Sequence, residues 1–424
     1  MLLRLWWRGR KEPGYRKDWQ QRLGVYAALP QADSRAQPLI WLHAVSLGET
    51  RAAQPLIEAL LARYPDHRLL ITHMTATGRE AAQSLYGGKA LLAWLPYDFP
   101  WAVARFYAHF QPVLGVLMET EVWPNLARAA RARGMPLVLA NARLSEKSFA
   151  GYRRAGALAR EAFASLIVAA QTEADAARIK SLGAQRVVVA GNLKFDLNGG
   201  VAAAGESAAL RHLFGTGQVF LAASTREGEE ALLLDALARA PFQTDTGTGT
   251  GAAAIENGGA GTVTVIVPRH PQRFDAVAAL LKQRGIGFSR RSENIPLPAG
   301  CHIVLGDSLG EMPLYYAACD CAFIGGSLVP LGGQNLIEAC AQGTPVLIGP
   351  HTFNFADAAE QAVAAGAALR VASAAILLEE VQGLLNDPAQ RARMGAAGRA
   401  FCERHRGATA RTMEVIQAAL PPPG

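Results

Sequence analysis

Several patterns that would assign the sequence to a familiar class of protein are absent. There is no run of about 18 apolar residues, which argues against a typical membrane-spanning helix. The five cysteines are odd in number and form no CxxC pair, and no cleavable signal peptide is recognisable. We therefore expect reduced thiols of a cytosolic protein rather than a disulfide framework.

The best-known nucleotide and metal motifs are also missing. Neither a GxGxxG motif nor a Walker lysine motif occurs, which argues against an NAD site and against a P-loop. No spacing of histidine, cysteine and carboxylate residues is typical of a structural metal site. We therefore expect neither a metal ion nor a bound cofactor.

Charged residues are few and unevenly distributed. Only 18% of the 424 residues are charged and 50% are hydrophobic, which excludes disorder as the main state. The length predicts two domains. Residues 1–24 contain seven basic and two acidic side chains, so they carry +5 of the net charge of +7. The remainder is nearly neutral, which argues against a large nucleic-acid-binding surface.

We interpret residues 1–30 as a basic, tryptophan-containing, membrane-proximal segment. Its basic side chains, together with Trp6, Trp7 and Trp19, fit a helix that lies on an anionic membrane surface. A terminal segment that is partly packed against the protein is equally consistent with this composition.

After this segment, short apolar runs alternate with helical stretches. The first run, Leu39–His43, is followed by a Ser-Leu-Gly-Glu turn and a predicted helix over residues 50–64. Similar runs recur up to Val187–Ala190, and a second series extends from Val219–Ala223 to Pro345–Ile348. Buried runs separated by helices predict parallel, doubly wound sheets.

The pattern therefore predicts an α/β protein with two Rossmann-like domains. We place an N-terminal domain at 31–197, a linker at 198–216 and a C-terminal domain at 217–424. Residues 244–261, rich in Gly, Ala and Thr, are interpreted as a flexible insertion in the second domain. In such folds, ligands bind where the strand ends of the two domains face one cleft.

Loops after the strands of the first domain carry candidate catalytic residues. Glu49 stands at the start of a helix, where it suits either a base or a helix-stabilising acid. Glu119 and Glu121 follow the strand Leu114–Met118, and two acids exceed what capping requires. Lys194 lies just beyond another strand, where it is either an anion-binding residue or an exposed charge.

Loops of the second domain suggest a phosphate and ribose site. Arg269 and Arg273 lie together after a strand and suit bidentate phosphate binding. The loop Gly306–Met312 offers backbone amides and Glu311, and the glycines of Gly325–Pro350 leave helix-start amides open to a phosphate. Glu338 is placed to accept hydrogen bonds from ribose hydroxyls.

On these motifs the sequence resembles the 3-deoxy-D-manno-octulosonic acid (Kdo) transferase family of lipopolysaccharide biosynthesis. The shared blocks keep their order over nearly the whole chain; they include RGRKEPGYRKDW, HAVSLGE, LPYDFP, METEVWPN, NARLSEKS, GNLKFD, STREGEE, VPRHPQRF, GDSLGEM and HTFNF. The resemblance implies a GT-B fold with two Rossmann-like domains facing a central cleft. It also implies inverting, metal-independent transfer of Kdo from CMP-Kdo to the lipid A precursor lipid IVA.

The resemblance also implies roles for individual residues. The catalytic base corresponds to Glu49, and the groups that stabilise the transition state correspond to Glu119 and Lys194. The implied CMP contacts are Pro268, Arg269, Leu309, Gly310, Glu311, Asn335, Leu336, Ile337 and Glu338. One departure concerns Gln334, where the family often has histidine; glutamine donates hydrogen bonds but carries no positive charge.

The implied partners are CMP-Kdo, a lipid A precursor and an anionic membrane surface, with no nucleic acid. We expect peripheral attachment to the cytoplasmic face of the inner membrane; the alternative is a soluble enzyme whose terminus packs on the first domain. Two other functions stay open on the residues alone. One is a different GT-B enzyme, such as a sugar-nucleotide epimerase, and the other is nucleic-acid binding through the basic N-terminus.

Overall fold

The computed structural model describes residues 9–10, 12–27, 37–197, 203–239 and 261–420. The chain divides into two compact units. The first contains the described residues of Met1–Leu197 and of His405–Gly424, and the second contains those of Asn198–Arg404. Each unit is an α/β domain, which confirms the predicted fold class.

The first unit is built on a parallel sheet. Its strands are β1 (Leu39–His43), β2 (Arg68–His73), β3 (Leu91–Trp94), β4 (Leu114–Met118), β5 (Leu137–Ala142), β6 (Leu166–Ala170) and β7 (Arg186–Val189). They are arranged in the order β3-β2-β1-β4-β5-β6-β7, and every pair is parallel. This is a doubly wound, Rossmann-like order whose direction reverses between β1 and β4.

Helices cover both faces of this sheet. They are α1 (Leu47–Ala52), α2 (Gln54–Arg63), α3 (Ala76–Tyr86), α4 (Pro100–Phe110), α5 (Pro124–Ala132), α6 (Glu146–Arg154), α7 (Ala157–Ala164) and α8 (Glu173–Ser181). Alternation along β1 explains the two layers, because successive side chains of a strand point to opposite faces. Leu39 and Trp41 belong to one buried cluster, whereas Ile40 and Leu42 belong to the other.

The second unit repeats the design. Its strands are β8 (Val219–Thr225), β9 (Val263–Pro268), β10 (Ser289–Arg290), β11 (Ile303–Leu305), β12 (Cys321–Ile324), β13 (Val346–Ile348) and β14 (Ala368–Arg370). Their order is β10-β11-β9-β8-β12-β13-β14, again with all pairs parallel. The direction of winding reverses between β8 and β12.

The helices that follow in the chain complete both units. They are α9 (Ala204–Leu213), α10 (Glu229–Arg239), α11 (Phe274–Gln283), α12 (Met312–Ala318), α13 (Ile337–Gln342), α14 (Ala356–Ala364), α15 (Ala374–Asn386), α16 (Pro388–His405) and α17 (Ala408–Ala419). A core in the second unit joins Phe220 of β8 to α10, α11 and α15.

The domain boundaries differ from the predicted ones in two places. Much of the predicted linker 198–216 is helix α9, which packs on α12 of the second unit, and Arg211 of this helix pairs with Asp320 at 2.9 Å. At the other end, α17 packs on α2 and β5 of the first unit. The last residues of the predicted domain 217–424 therefore belong to the first unit.

Two details of secondary structure also differ from the expectation. The helix expected over residues 50–64 starts earlier and is broken into α1 and α2 at Ala53. Pro55 has no amide hydrogen to donate and is tolerated in the first turn of α2, which favours a new start there. Strand β14 was not predicted, and it is only three residues long.

Residues 12–27 are an integral part of the first unit. They contain two 3₁₀ helices, Pro13–Arg16 and Trp19–Leu23. The Arg22 side chain is buried, with its guanidinium 4.0 Å from the centroid of the Trp94 ring, and it donates to the carbonyl oxygen of Met74 at 3.1 Å. The indole of Trp94 donates to the carbonyl oxygen of Lys17 at 2.7 Å. This part of the expected membrane segment therefore packs against the protein.

The expectations for residues 1–8 and for nearly all of the insertion 244–261 fall outside the described residues. In the part of the chain that the structure describes, none of the helices combines the length and the apolarity needed to cross a bilayer.

Candidate active site

The carboxyl ends of β1 and β4 bring together the acidic motifs of the first unit. His43 pairs with Leu117 across these two strands, so the segments that follow leave the sheet side by side. One segment carries Glu49 and the other carries Glu119 and Glu121. Because winding reverses at this point, a crevice for a ligand is expected there.

Glu49 is held by the turn that begins α1. Ser46 caps this helix, and its hydroxyl accepts from the amide of Glu49 at 3.4 Å. The carboxylate of Glu49 folds back and accepts from the amide of Val45 at 2.8 Å and from the Ser46 hydroxyl at 3.3 Å. This reciprocal arrangement fixes the carboxylate at the edge of the sheet.

The environment of Glu49 disfavours its charged form. Burial raises its pKa to about 8, and the negative charges of Glu119 and Glu121 add to the rise, while the hydrogen bonds from Val45 and Ser46 oppose it. Burial also raises the pKa of Glu121. A carboxylate with a pKa near neutrality is suited to accept a proton from a hydroxyl group.

Glu119 has an unusual backbone conformation. Its φ of 58° lies in the left-handed region that residues other than glycine rarely adopt. Its backbone amide donates to the carbonyl oxygen of Ala140 in β5 at 2.9 Å. Such strain persists only where surrounding contacts enforce it, and it is concentrated at functional sites. The sharp turn directs the chain away from the sheet immediately after β4.

Asp98 anchors the segment that follows Glu121. Its carboxylate accepts from the amides of Asn125 and Leu126 at 3.0 and 2.9 Å, at the start of α5. A negative charge at a helix start is stabilising. The LPYDFP and METEVWPN motifs are therefore joined by a helix cap that Asp98 provides.

After β7 the chain returns to the same edge of the sheet, and Lys194 lies in this returning segment. Asn141, at the end of β5, accepts from the amide of Leu193 at 3.0 Å through its side-chain oxygen. Asn192 accepts from the amide of Lys194 at 3.0 Å, and the Lys194 side chain is half-buried. Asn141 also has a left-handed φ, 53°, and is fully buried. The three predicted catalytic residues of the first unit thus lie along one edge.

Asp196 of the same motif has a structural task. Its carboxylate accepts from the amides of Gly407 and Thr409 at 2.8 and 2.6 Å, where α17 begins. Arg411 of this helix donates to the carbonyl oxygen of Ala190 at 2.7 Å. The GNLKFD motif therefore both carries Lys194 and holds the returning C-terminal helix.

In the second unit, the direction of winding reverses between β8 and β12, and a glutamate binds the loop that follows β12. Buried Glu229 of α10 accepts from the amides of Gly326, Ser327 and Leu328 at 2.6–3.0 Å and from that of Arg226 at 2.9 Å. Burial nevertheless raises its pKa. These loop amides are therefore occupied by a carboxylate; they precede the helix-start amides near Asn335 that were expected to meet a phosphate.

Gly325 allows the ends of β8 and β12 to lie close together. A Cβ atom at this position would lie 2.5 Å from the carbonyl oxygen of Ser224 and 2.6 Å from the Cα of Thr225. Both contacts are with backbone, which cannot move aside. Glycine is therefore required where β8 and β12 end together.

The two arginines after β9 have different tasks. Arg273 forms two hydrogen bonds to buried Glu230, at 2.6 and 3.0 Å, so the expected joint use of both arginines for a phosphate is wrong. Arg269 is half-buried, and its Nε donates to the side-chain oxygen of Gln334 at 3.0 Å. Pro268, the last residue of β9, directly precedes it.

The segment Asn335–Glu338 leads into α13 beside Arg269. The Asn335 amide nitrogen donates to Glu338 at 2.9 Å, and the Asn335 side-chain oxygen accepts from the amide of Ile337 at 3.1 Å. The side chains of Leu336 and Ile337 are buried in the core, so only their backbone is available to a ligand. The side chains of Asn335 and Glu338 remain half-buried.

The turn Leu309–Glu311 precedes α12 and presents a mixed surface. Leu309 is 72% exposed, and Gly310 has a φ of 79° that favours glycine. Glu311 accepts from Arg291 at 2.9 Å through Oε1, whereas its buried Oε2 has no partner among the described residues.

Two buried tyrosines of α12 adjoin all three of these segments. Burial raises the pKa of Tyr316, which also feels the charges of Glu338 and Arg269. The hydroxyl of Tyr315 lies 2.8 Å from that of Ser308, and the Glu311 charge acts on it. The structure therefore gathers the predicted CMP-binding residues around α12.

Some contacts at these edges were not predicted. Glu229, Glu230 and Gln334 make the hydrogen bonds described above, although the first two lie in the STREGEE motif. Two adjacent acids in the STREGEE motif were the signal that the sequence offered. Within the described ranges, no group of three or more histidine, cysteine, aspartate or glutamate side chains is arranged to hold a metal ion.

Two Rossmann-like units of this kind are shared with known sugar-nucleotide enzymes. The UDP-GlcNAc 2-epimerase of Neisseria meningitidis, solved with UDP-GlcNAc, superposes with a TM-score of 0.58 over 90% of this chain and 100% of that one, at 16% identity. At that identity the similarity shows the fold alone. The fold class is therefore GT-B, with two α/β units that are each built on a parallel sheet.

Sequence comparisons give the family. Residues 17–197 match the family described as 3-Deoxy-D-manno-octulosonic-acid transferase (kdotransferase), and residues 287–401 match Glycosyl transferases group 1. The 3-deoxy-D-manno-octulosonic acid transferase of Bordetella pertussis is 47% identical over 97% of this chain and 94% of that protein. The one from Haemophilus influenzae is 35% identical over 97% and 93%. The chain belongs to the 3-deoxy-D-manno-octulosonic acid transferase family and is a glycosyltransferase, as its motifs predicted.

Proposed function

We propose that this chain transfers Kdo from CMP-Kdo to the lipid A precursor lipid IVA, with inversion at the anomeric carbon and without a metal ion. The observation that carries the proposal is the position of Glu49. It lies at the reversal point of the first sheet, beside Glu119, with a pKa raised to about 8. Membership of the Kdo transferase family supports the choice of the transferred sugar.

Glu49 is the proposed general base. Single displacement with inversion requires a base that removes the proton of the attacking acceptor hydroxyl as the new glycosidic bond forms. The raised pKa supports this role, because a base with a pKa near the working pH both ionises and accepts a proton effectively. Lys194 and Glu119 are proposed to stabilise the transition state, in which positive charge develops on the sugar and negative charge on the leaving group.

The second unit is proposed to hold the CMP part of the donor. The bond between the anomeric carbon and the phosphate oxygen breaks, and its electron pair leaves with CMP. Arg269 is the proposed partner of that phosphate, since a guanidinium matches phosphate geometry. The proposed remaining contacts are Pro268, Leu309, Gly310, Glu311, Asn335, Leu336, Ile337 and Glu338. For Leu336 and Ile337, the buried side chains limit this contact to the backbone.

Transfer by the Glu49→Gln variant tests the proposal. We expect this variant to bind CMP like the parent chain but to transfer Kdo about 10²–10⁴-fold more slowly, because that is the usual contribution of a general base. The measurement is CMP release and glycolipid formation by mass spectrometry, with CMP-Kdo and lipid IVA as substrates. Glu173→Gln, an exposed acid at the start of α8, serves as the control.

Different products distinguish the alternatives. Turnover close to that of the parent chain in Glu49→Gln would remove the base assignment. Free or epimerised sugar without glycolipid would indicate an epimerase instead. Loss of glycolipid formation on chelation of divalent cations, restored by their addition, would overturn the metal-independent mechanism.

We further propose that the enzyme acts as a peripheral protein at the cytoplasmic face of the inner membrane. A lipid acceptor requires the first unit to approach a bilayer. Residues 1–24 carry a net charge of +5, which favours an anionic surface.

A further inference from the structure

Gln334 makes a contact that links two loops of the second unit. Its side-chain oxygen accepts from Nε of Arg269 at 3.0 Å, and the two residues are 65 positions apart in the sequence. Its backbone amide donates to the carbonyl oxygen of Gly325 at 3.0 Å. Both side chains are half-buried, so the hydrogen bond is shielded from bulk water on one side.

The hydrogen bond to Gln334 uses Nε of Arg269, and this choice of nitrogen affects how the guanidinium can bind a ligand. A guanidinium group is planar and has five N–H donors, of which Nε supplies one. A hydrogen bond at Nε fixes the plane of the group and therefore the direction of its two terminal nitrogens. An arginine side chain otherwise loses rotamer entropy when it binds a phosphate. An acceptor at Nε removes part of that loss before the ligand arrives.

The acceptor is also neutral. A carboxylate at the same place would compensate the positive charge of Arg269, as Glu230 does for Arg273 at 2.6 Å. The amide of Gln334 accepts from the guanidinium and places no negative charge beside it. Histidine, by contrast, becomes a cation near its ordinary pKa of about 6.5 and would then repel Arg269.

We propose that Gln334 is a positioning residue that orients Arg269 toward the phosphate of the donor nucleotide. The inference rests on the proposed function, because it takes Arg269 as the partner of the CMP phosphate. It adds Gln334 to the residues of that site through a specific atom, Nε of Arg269.

A double-mutant cycle on CMP binding tests the inference. The affinities of the parent chain, Gln334→Ala, Arg269→Ala and the double variant are measured by calorimetry, with CMP and with cytidine. We expect Arg269→Ala to weaken CMP binding by about 10–150-fold and Gln334→Ala by about 2–10-fold, as for hydrogen bonds to charged and neutral groups. The double variant should bind CMP no more weakly than Arg269→Ala. Cytidine, which has no phosphate, should bind equally to the parent chain and Gln334→Ala.

Further variants protect the test against effects on folding. Gln334→Met keeps the length of the side chain and removes the acceptor, so it should match Gln334→Ala. Gln283→Ala, at an exposed position at the end of α11, should leave CMP affinity unchanged. In Gln334→His, CMP affinity should depend on pH between about 5.5 and 7.5, and that of the parent chain should depend less.

The outcomes separate the inference from the proposed function. If Arg269→Ala binds CMP like the parent chain, the proposed phosphate partner is wrong and the inference falls with it. If Arg269→Ala weakens binding but the effect of Gln334→Ala adds to it in full, Gln334 acts through another group and the inference alone is overturned. Unchanged CMP affinity in both Gln334→Ala and Gln334→Met also overturns the inference alone.

Discussion

At the scale of single residues, Glu49 gives a prediction about pH. Its pKa is raised to about 8 from the ordinary value of 4.5, so the carboxyl group stays protonated in a range where most glutamates are ionised. Only the ionised form accepts a proton from the acceptor hydroxyl. We therefore expect kcat/KM for Kdo transfer to rise with pH and to level off above about 8. The measurement is a pH profile with CMP-Kdo and lipid IVA.

Glu121 provides the matched change. Its negative charge contributes to the raised pKa of Glu49, so Glu121→Gln should lower that pKa and move the rise in kcat/KM to lower pH. The exposed substitution Glu173→Gln should leave the profile in place. A profile that is flat between about pH 6 and 9, or one that Glu121→Gln does not move, would contradict the role of Glu49 as the base.

Residues that follow strands could be predicted from the sequence, but their partners could not. Glu49, Glu119 and Lys194 lie in segments that follow apolar runs, and parallel strands bring such segments to one edge. The bond between Arg269 and Gln334 joins positions 65 residues apart, and no local pattern specifies it. No local pattern specifies the partner of Arg273 either, which forms an ion pair with buried Glu230.

At the scale of helices and strands, buried apolar runs were reliable signals. Strands β1 and β4 have the bounds that were expected, because each is a short run buried along its length. Strand β14 was missed because Ala368–Arg370 is too short to stand out, and it forms by pairing with β13. Its existence depends on the sheet rather than on local preference.

Glu229 makes the prediction at this scale, because it joins α10 to the loop after β12. It is buried and accepts four backbone hydrogen bonds, from Arg226, Gly326, Ser327 and Leu328. Glu229→Gln replaces one acceptor oxygen with a donor and leaves buried amides without partners. We expect the free energy of unfolding to fall by about 2 kcal/mol or more, since each unsatisfied buried group costs about 1–3 kcal/mol. Denaturant titration measures this loss.

Glu227 is the control for this prediction. It precedes Glu229 by two positions, is exposed, and carries the same charge. Glu227→Gln should change the free energy of unfolding by less than about 0.5 kcal/mol, as surface substitutions usually do. Equal stability of the two variants would show that the carboxylate of Glu229 does not hold the loop.

At the scale of the whole molecule, the two-unit organisation was predictable but the path of the C-terminus was not. The number of strand and helix repeats indicates two sheets. The return of α17 to the first unit depends on Asp196, whose carboxylate meets the amide of Gly407, 211 positions later. A contact of such sequence separation leaves no local signal. For the same reason, helix α9 was predicted as a linker, because its packing on α12 of the second unit leaves no local signal.

Membrane attachment is the last property that belongs to the whole molecule. Each basic residue near an anionic surface contributes about 1 kcal/mol, and tryptophans settle at the interface. Arg22 contributes little to this attraction because it is buried against Trp94. The relevant charges are therefore those at the start of the chain, which include Arg4, Arg8, Arg10 and Lys11. We expect the full chain to co-sediment with anionic vesicles at low salt and to be released at high salt, because salt screens exposed charges.

Charge reversal distinguishes a local attachment from a general effect of net charge. One variant changes the four basic residues at the start of the chain to glutamate. The control changes four exposed basic residues elsewhere to glutamate, so both variants have the same net charge; these are Lys180, Lys282, Arg393 and Arg404. Vesicle binding should be lost in the first variant and largely kept in the control. If binding is lost equally in both, net charge drives it. If it survives in the first variant, or the parent chain fails to bind at low salt, the terminus is not an attachment site, and the packing of residues 12–27 on the first unit describes its role.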